Sequence, residues 1–168
     1  MTITRVAIVI IITAAIIACK TGPTQQVAAV TTPTVYVTDN AKVIDEPTRK
    51  QLETTLAALK DRRKIDFSVV TVKSTGDKSV ADYSLALARE RQKDSIEKNV
   101  SGLLLLVAVD DRNWHIQITQ NLEPHLTKES LTNMSTPMTD SFRQKQYGEG
   151  IRKYVNAIIE KLDQLDIR

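Results

Sequence analysis

Gly102-Leu103-Leu104-Leu105-Leu106-Val107-Ala108-Val109-Asp110-Asp111-Arg112-Asn113-Trp114-His115-Ile116-Gln117-Ile118 is the stretch that decides the fold. Seven consecutive apolar residues, Leu103 to Val109, stand between a glycine and two aspartates. That length is short for a helix, and the absence of alternation suits a central strand covered on both faces. Asp110-Asp111-Arg112-Asn113 is turn chemistry, after which Trp114, Ile116 and Ile118 alternate with His115, Gln117 and Thr119. The chain therefore returns antiparallel, as a hairpin strand with one wetter face.

Working outward, Val35-Tyr36-Val37 is a short strand candidate followed by the turn residues Thr38-Asp39-Asn40. Asp45 sits where a helix N-cap is wanted, Pro47 falls in the first turn, and Leu52, Leu56 and Leu59 share one helical face to about Asp61. The spacing predicts a strand over 65–73, buried on much of both sides, and a helix over 79–94 opened by Ser79 and Asp82 as a capping box. From Thr127 the chain is helical: Leu131, Met134, Met138 and Phe142 fit one face, interrupted by Pro137. After Gly148 and Gly150, Ile151, Tyr154, Val155, Ile158, Ile159 and Leu162 fit another. The order of elements implies an α/β fold, a three-layer α/β/α sandwich with a mixed, mostly parallel sheet, a β-hairpin and C-terminal helices. Right-handed crossovers place the first three strands parallel or nearly so.

The N-terminus says where the protein works. Arg5, the apolar run Val6 to Ala18 and the lone Cys19 have the layout of a bacterial lipoprotein signal. The run falls short of the roughly 20 residues a bilayer-spanning helix needs. Residues 1–18 are expected to be a signal peptide, Cys19 the lipidated residue, 19–34 a flexible tether, and 35–168 the folded domain. The expected location is the bacterial cell envelope, with the lipid holding the chain to a membrane and the domain in the periplasm or outside the cell. The chain carries 23 Lys+Arg against 20 Asp+Glu with the signs interspersed, and aromatics are 4%. No nucleic-acid stripe follows from that balance. Arg62-Arg63-Lys64 reads as a helix-end charge cluster.

Asp110 and Asp111 are the best site candidates, because ligands in open α/β sheets favour the carboxyl ends of strands and hard oxygen donors suit calcium or magnesium. Asp39 joins them if its strand neighbours the central one. The competing reading is that Asp-Asp-Arg-Asn is simply a good turn. His115 and His125 lack the partners and spacing of a zinc site, and no nucleophile elbow, P-loop or dinucleotide fingerprint is present.

Several of these segments together resemble the TPM domain family. They are Val37-Thr38-Asp39-Asn40-Ala41 with Val43-Ile44, Asp82-Tyr83-Ser84-Leu85-Ala86-Leu87-Ala88, Gly102 to Arg112, and Phe142-Arg143 with Tyr147 and Gly150-Ile151. The resemblance covers roughly residues 35–166. It implies an α/β/α sandwich whose acidic loops bind a divalent cation, usually calcium, here through Asp39, Asp110 and Asp111. It also implies acid-phosphatase activity in some plant members. The family usually has Asp-Asn before the glycine that opens the central strand, and Gly-Tyr-Gly before the Leu-Glu after the hairpin. Val100-Ser101 and Thr119-Gln120-Asn121 stand at those places, on what is expected to be the side of the sheet carrying the site. The expected function is a binding module, or an assembly or repair helper, for envelope or membrane proteins, with a weak Ca2+ site. The alternative is a metal-dependent acid phosphatase.

Overall fold

The strand that decides the fold lies in the middle of a four-stranded sheet. The computed structural model describes residues 35–93 and 101–165. Cys19, the expected signal and tether, and Val100 lie outside the described residues. The elements are β1 (Val37–Asp39), α1 (Glu46–Arg63), β2 (Ile65–Val72), α2 (Val80–Lys93), β3 (Ser101–Ala108), β4 (Asn113–Ile118), α3 (Lys128–Arg143) and α4 (Tyr147–Asp163). The sheet order is β1-β2-β3-β4, with β1, β2 and β3 parallel and β4 antiparallel to β3. Phe67 pairs with Leu103 and Val69 with Leu105, while Leu105 also faces Ile116 across the hairpin.

Two cores account for the uninterrupted apolar run. Phe67, Val69, Leu103, Leu105 and Val107 point to one face, where Leu52, Leu56 and Leu59 of α1, Met138 of α3, and Ile151, Tyr154, Val155 and Ile158 of α4 cover them. Val70, Val72, Leu104, Leu106 and Ala108 point to the other, against Val80, Tyr83 and Leu87 of α2. Leu105 and Leu106, neighbours in sequence, are both 0% exposed on opposite faces. The result is the three-layer α/β/α sandwich with a mostly parallel mixed sheet.

Local signals position the helices as the sequence indicates. Asp45 accepts a bond from the Thr48 N–H at 3.1 Å, and the Ser79 hydroxyl accepts from the Asp82 N–H at 3.1 Å. The basic end of α1 is anchored, Arg62 meeting Asp163 at 2.7 Å and Arg63 donating to the Asp163 carbonyl at 2.7 Å. Two expectations shift. The first strand runs Val37–Asp39 rather than Val35–Val37, because its pairing with β2 extends from Val37–Val69 to Asp39–Thr71, and the Glu53 carboxylate takes the N–H groups of Tyr36 and Val37 at 3.0 and 2.9 Å on entry. Pro137 does not interrupt α3, which is one helix with Leu131 and Ser135 buried before the proline and Met138 and Ser141 after it. Packing on both sides of the proline outweighs the single hydrogen bond that its missing N–H removes.

Gly150 sets how closely α4 approaches α3. A Cβ there would stand 2.9 Å from the Met138 carbonyl oxygen and 2.9 Å from Phe142 Cε1. The Phe142 and Tyr147 rings meet beside it with centroids 5.1 Å apart.

Candidate functional site

Asp39 ends β1, and its carboxylate closes the loop that leads into α1. Oδ1 accepts from the Val43 N–H at 3.2 Å, Oδ2 from the Ile44 N–H at 2.9 Å, and the Thr71 hydroxyl donates to Oδ1. Thr71 is itself buried at the end of β2, where its side chain also accepts from the Ala41 N–H at 3.2 Å. Lys42 adopts a positive φ of 58°, and the carboxylate bonds hold the loop through that bend.

Asp111 does the same work for the next loop. It lies in the β3–β4 turn, where Oδ1 accepts from the Ser74 hydroxyl at 2.7 Å and Oδ2 accepts from the Thr75 N–H at 2.8 Å and its hydroxyl at 3.1 Å. The Thr75 backbone N–H first, and the Ser74 hydroxyl second, hold the Asp111 carboxyl below the usual carboxylate range. Asp110 contributes its backbone, donating to the Lys73 carbonyl at 2.8 Å, and its side chain is exposed.

The three aspartates therefore share the carboxyl end of the parallel strands without converging. The condition under which Asp39 would join the other two fails, because β2 separates β1 from β3. Two strand spacings amount to about 9.6 Å. Among the described residues no group of three His, Cys, Asp or Glu side chains is placed to hold a metal ion. With Asp39 and Asp111 engaged by N–H and O–H donors, the residues present do not fit a three-carboxylate calcium site.

At the opposite end of the sheet, neutral groups join the start of β3 to the loop after β4. Gly102 N–H donates to the Thr119 hydroxyl at 3.0 Å, the Thr119 N–H donates to the Gly102 carbonyl at 3.0 Å, and the Asn121 amide donates to the Ser101 hydroxyl. Ser101 opens β3 and Asp110 follows its end, so the two positions lie at opposite ends of a strand of eight residues. That length corresponds to about 26 Å. Ser101 and Thr119-Gln120-Asn121 are thus not on the side of the aspartates, contrary to expectation. Sequence order alone places them so, because residues that precede and follow one strand sit at its opposite ends.

A feature that sequence reasoning passed over lies along β4. Between this strand and residues 123–132 runs a groove of about 550 Å³, lined by Trp114, Ile116 and Ile118 on one side and Leu126 and Leu131 on the other. The Trp114 ring packs edge-on against buried Tyr154, centroids 5.4 Å apart. The alternation of Trp114, Ile116 and Ile118 was the signal, but it reads equally as ordinary core packing.

A model of the TPM domain matches residues 37–161 of the chain. The chain belongs to the TPM domain family. Its structure is similar to the solution structure of the N-terminal domain of a P. gingivalis protein, with 31% identity, 79% of this chain and 84% of that one covered, and a TM-score of 0.70. The BA42 protein of the psychrophilic bacterium Bizionia argentinensis shares the fold at 15% identity, covering 72% and 82%, with a TM-score of 0.61. So does the N-terminal domain of a Corynebacterium glutamicum protein, at 11% identity, 76% and 79% coverage and a TM-score of 0.58. No curated protein matches. Within this TPM domain the Phe-Arg and Tyr-x-x-Gly spacing is the close contact of α3 with α4, and the acidic residues at the first strand and the hairpin turn are loop fasteners.

Proposed function

We propose that this chain is a lipid-anchored, extracytoplasmic TPM domain that acts as a binding or assembly-assisting module for other envelope proteins. The observation that carries this reading is the engagement of Asp39 and Asp111 by backbone N–H groups, which leaves Asp110 as the uncommitted carboxylate of the three. Catalysis on a phosphate held by a metal needs ligands free to face a common point. The N-terminal layout ending in Cys19 supports the anchor, since the two or three acyl chains of a lipoprotein hold a protein on a membrane effectively permanently. Any divalent cation binds weakly, through Asp110 with carbonyls and water, at a dissociation constant on the order of 10⁻³ M.

Crosslinking in the native envelope, followed by mass spectrometry, tests the reading. It is expected to recover a membrane or envelope protein joined to a chain that begins at acylated Cys19. An intact Met1 terminus would refute the anchor. Steady hydrolysis of a generic phosphomonoester that disappears in the Asp110→Ala/Asp111→Ala variant would favour the phosphatase instead.

A further inference from the structure

The two edges of the sheet are treated differently by the rest of the molecule. At the β1 edge the strand has three residues, and Glu53 occupies the N–H groups of Tyr36 and Val37. Short strands and charged side chains are the usual protection of an edge. The β4 edge has six residues, with no proline, aspartate, glutamate, lysine or arginine among them, and His115 as its one basic side chain. The bond from Thr119 N–H to the Gly102 carbonyl fixes the alternation, so that Asn113, His115 and Gln117 bond to β3 while Trp114, Ile116 and Ile118 turn their backbone groups outward. The Trp114 N–H is satisfied by the Asn113 side chain at 2.9 Å. Those of Ile116 and Ile118 have no partner among the described residues.

We infer that β4 is a docking edge for an extended, uncharged peptide segment of another protein, which adds as a fifth strand and places alternate apolar side chains in the adjoining groove. The inference rests on the reading of the chain as an interaction module and names the form its partner takes. Two observations choose this occupant. Glu123 and Lys128 bring one charge of each sign to a lining that also holds His115, so the groove selects neither a strongly basic nor an acidic segment. A second copy of the chain is disfavoured by size: a stable interface buries about 800 Å² on each partner. The open edge is six residues long, and its groove of about 550 Å³ is lined by ten residues, against about 20–30 a side in a stable interface. Six residues extend over about 20 Å, and such a volume lies within the range of ligand-sized pockets. Main-chain bonds would supply affinity and the groove would supply side-chain preference, as in other strand additions.

The test uses the full chain in mild detergent and a set of blocked peptides of about nine residues, with threonine alternating with valine, isoleucine, leucine or phenylalanine. Amide hydrogen exchange at Ile116 and Ile118 is expected to slow at least about tenfold at saturation. Emission from Trp114, the single tryptophan, is expected to shift to the blue. Ile116→Pro, which removes an outward N–H, should abolish both responses. Thr132→Phe, at an exposed position on the groove wall, should weaken binding about tenfold while the melting temperature stays unchanged. Three results would overturn the inference: no slowing with any member at millimolar concentration, equal binding of a set with lysine at the apolar positions, or protection that grows with protein concentration without peptide. The last would assign the edge to a second copy. A partner crosslinked at another surface would sink this inference and leave the module reading standing.

Discussion

The two ends of the β3–β4 hairpin are held by different means. At the carboxyl end of the parallel strands, ionised side chains hold the loops: Asp39 ties 40–44 to β2, and Asp111 ties 74–75 to the hairpin turn. At the other end, the Ser101–Asn121 and Gly102–Thr119 bonds are between neutral groups. Hydrogen bonds to charged groups contribute about 1.5–3 kcal/mol and neutral ones about 1 kcal/mol. An acidic residue at a strand end is therefore a reason to ask which N–H it serves before asking which metal it holds.

Neither end carries the largest expected effect, which lies between them. Leu105→Asp would place a carboxylate without a partner at a fully buried position and should cost several kcal/mol, giving unfolded or insoluble protein. A soluble variant with an unchanged melting temperature would break the picture of a strand covered on both faces. Asp39→Ala follows, since it strands the N–H groups of Val43 and Ile44 and the Thr71 hydroxyl; denaturant unfolding should show a loss of about 2–3 kcal/mol. A loss as small as that of Asn121→Ala, expected at under about 1 kcal/mol, would erase the difference between the ends.

The pH dependence sharpens the same contrast. Because the folded Asp111 carboxyl lies below its ordinary value, its contribution is fully present above about pH 3.9 and is lost as pH falls through the lower folded value. Exchange of the Thr75 amide should accelerate over that acidic window. The Gly102 amide, bonded to a neutral hydroxyl, should show no such additional step.

How much was legible follows from how far apart the partners are. The Asp45 cap on Thr48 and the Ser79 cap on Asp82 span three residues, and the hairpin follows from one apolar run and one turn, so each could be read directly. The partners that decide the site are distant: Thr71 lies 32 residues from Asp39, and Thr75 lies 36 from Asp111. Only strand order and register bring them together, and the placement of β2 between β1 and β3 is invisible in local periodicity. The same holds for the open β4 edge, since alternation shows which side chains are apolar without showing which strand lacks a neighbour.

Whether Asp111 fastens a loop or ligates a metal is read from its response to calcium. Thermal melts of the parent, Asp110→Ala and Asp111→Ala, each without calcium and at 10 times the proposed dissociation constant of about 10⁻³ M, test it most directly. Asp111→Ala is expected to lower the melting temperature by the same amount in both conditions, and Asp110→Ala to leave it unchanged without calcium. A deficit in Asp111→Ala that appears only when calcium is present, matching a calcium-dependent rise in the parent, would contradict it.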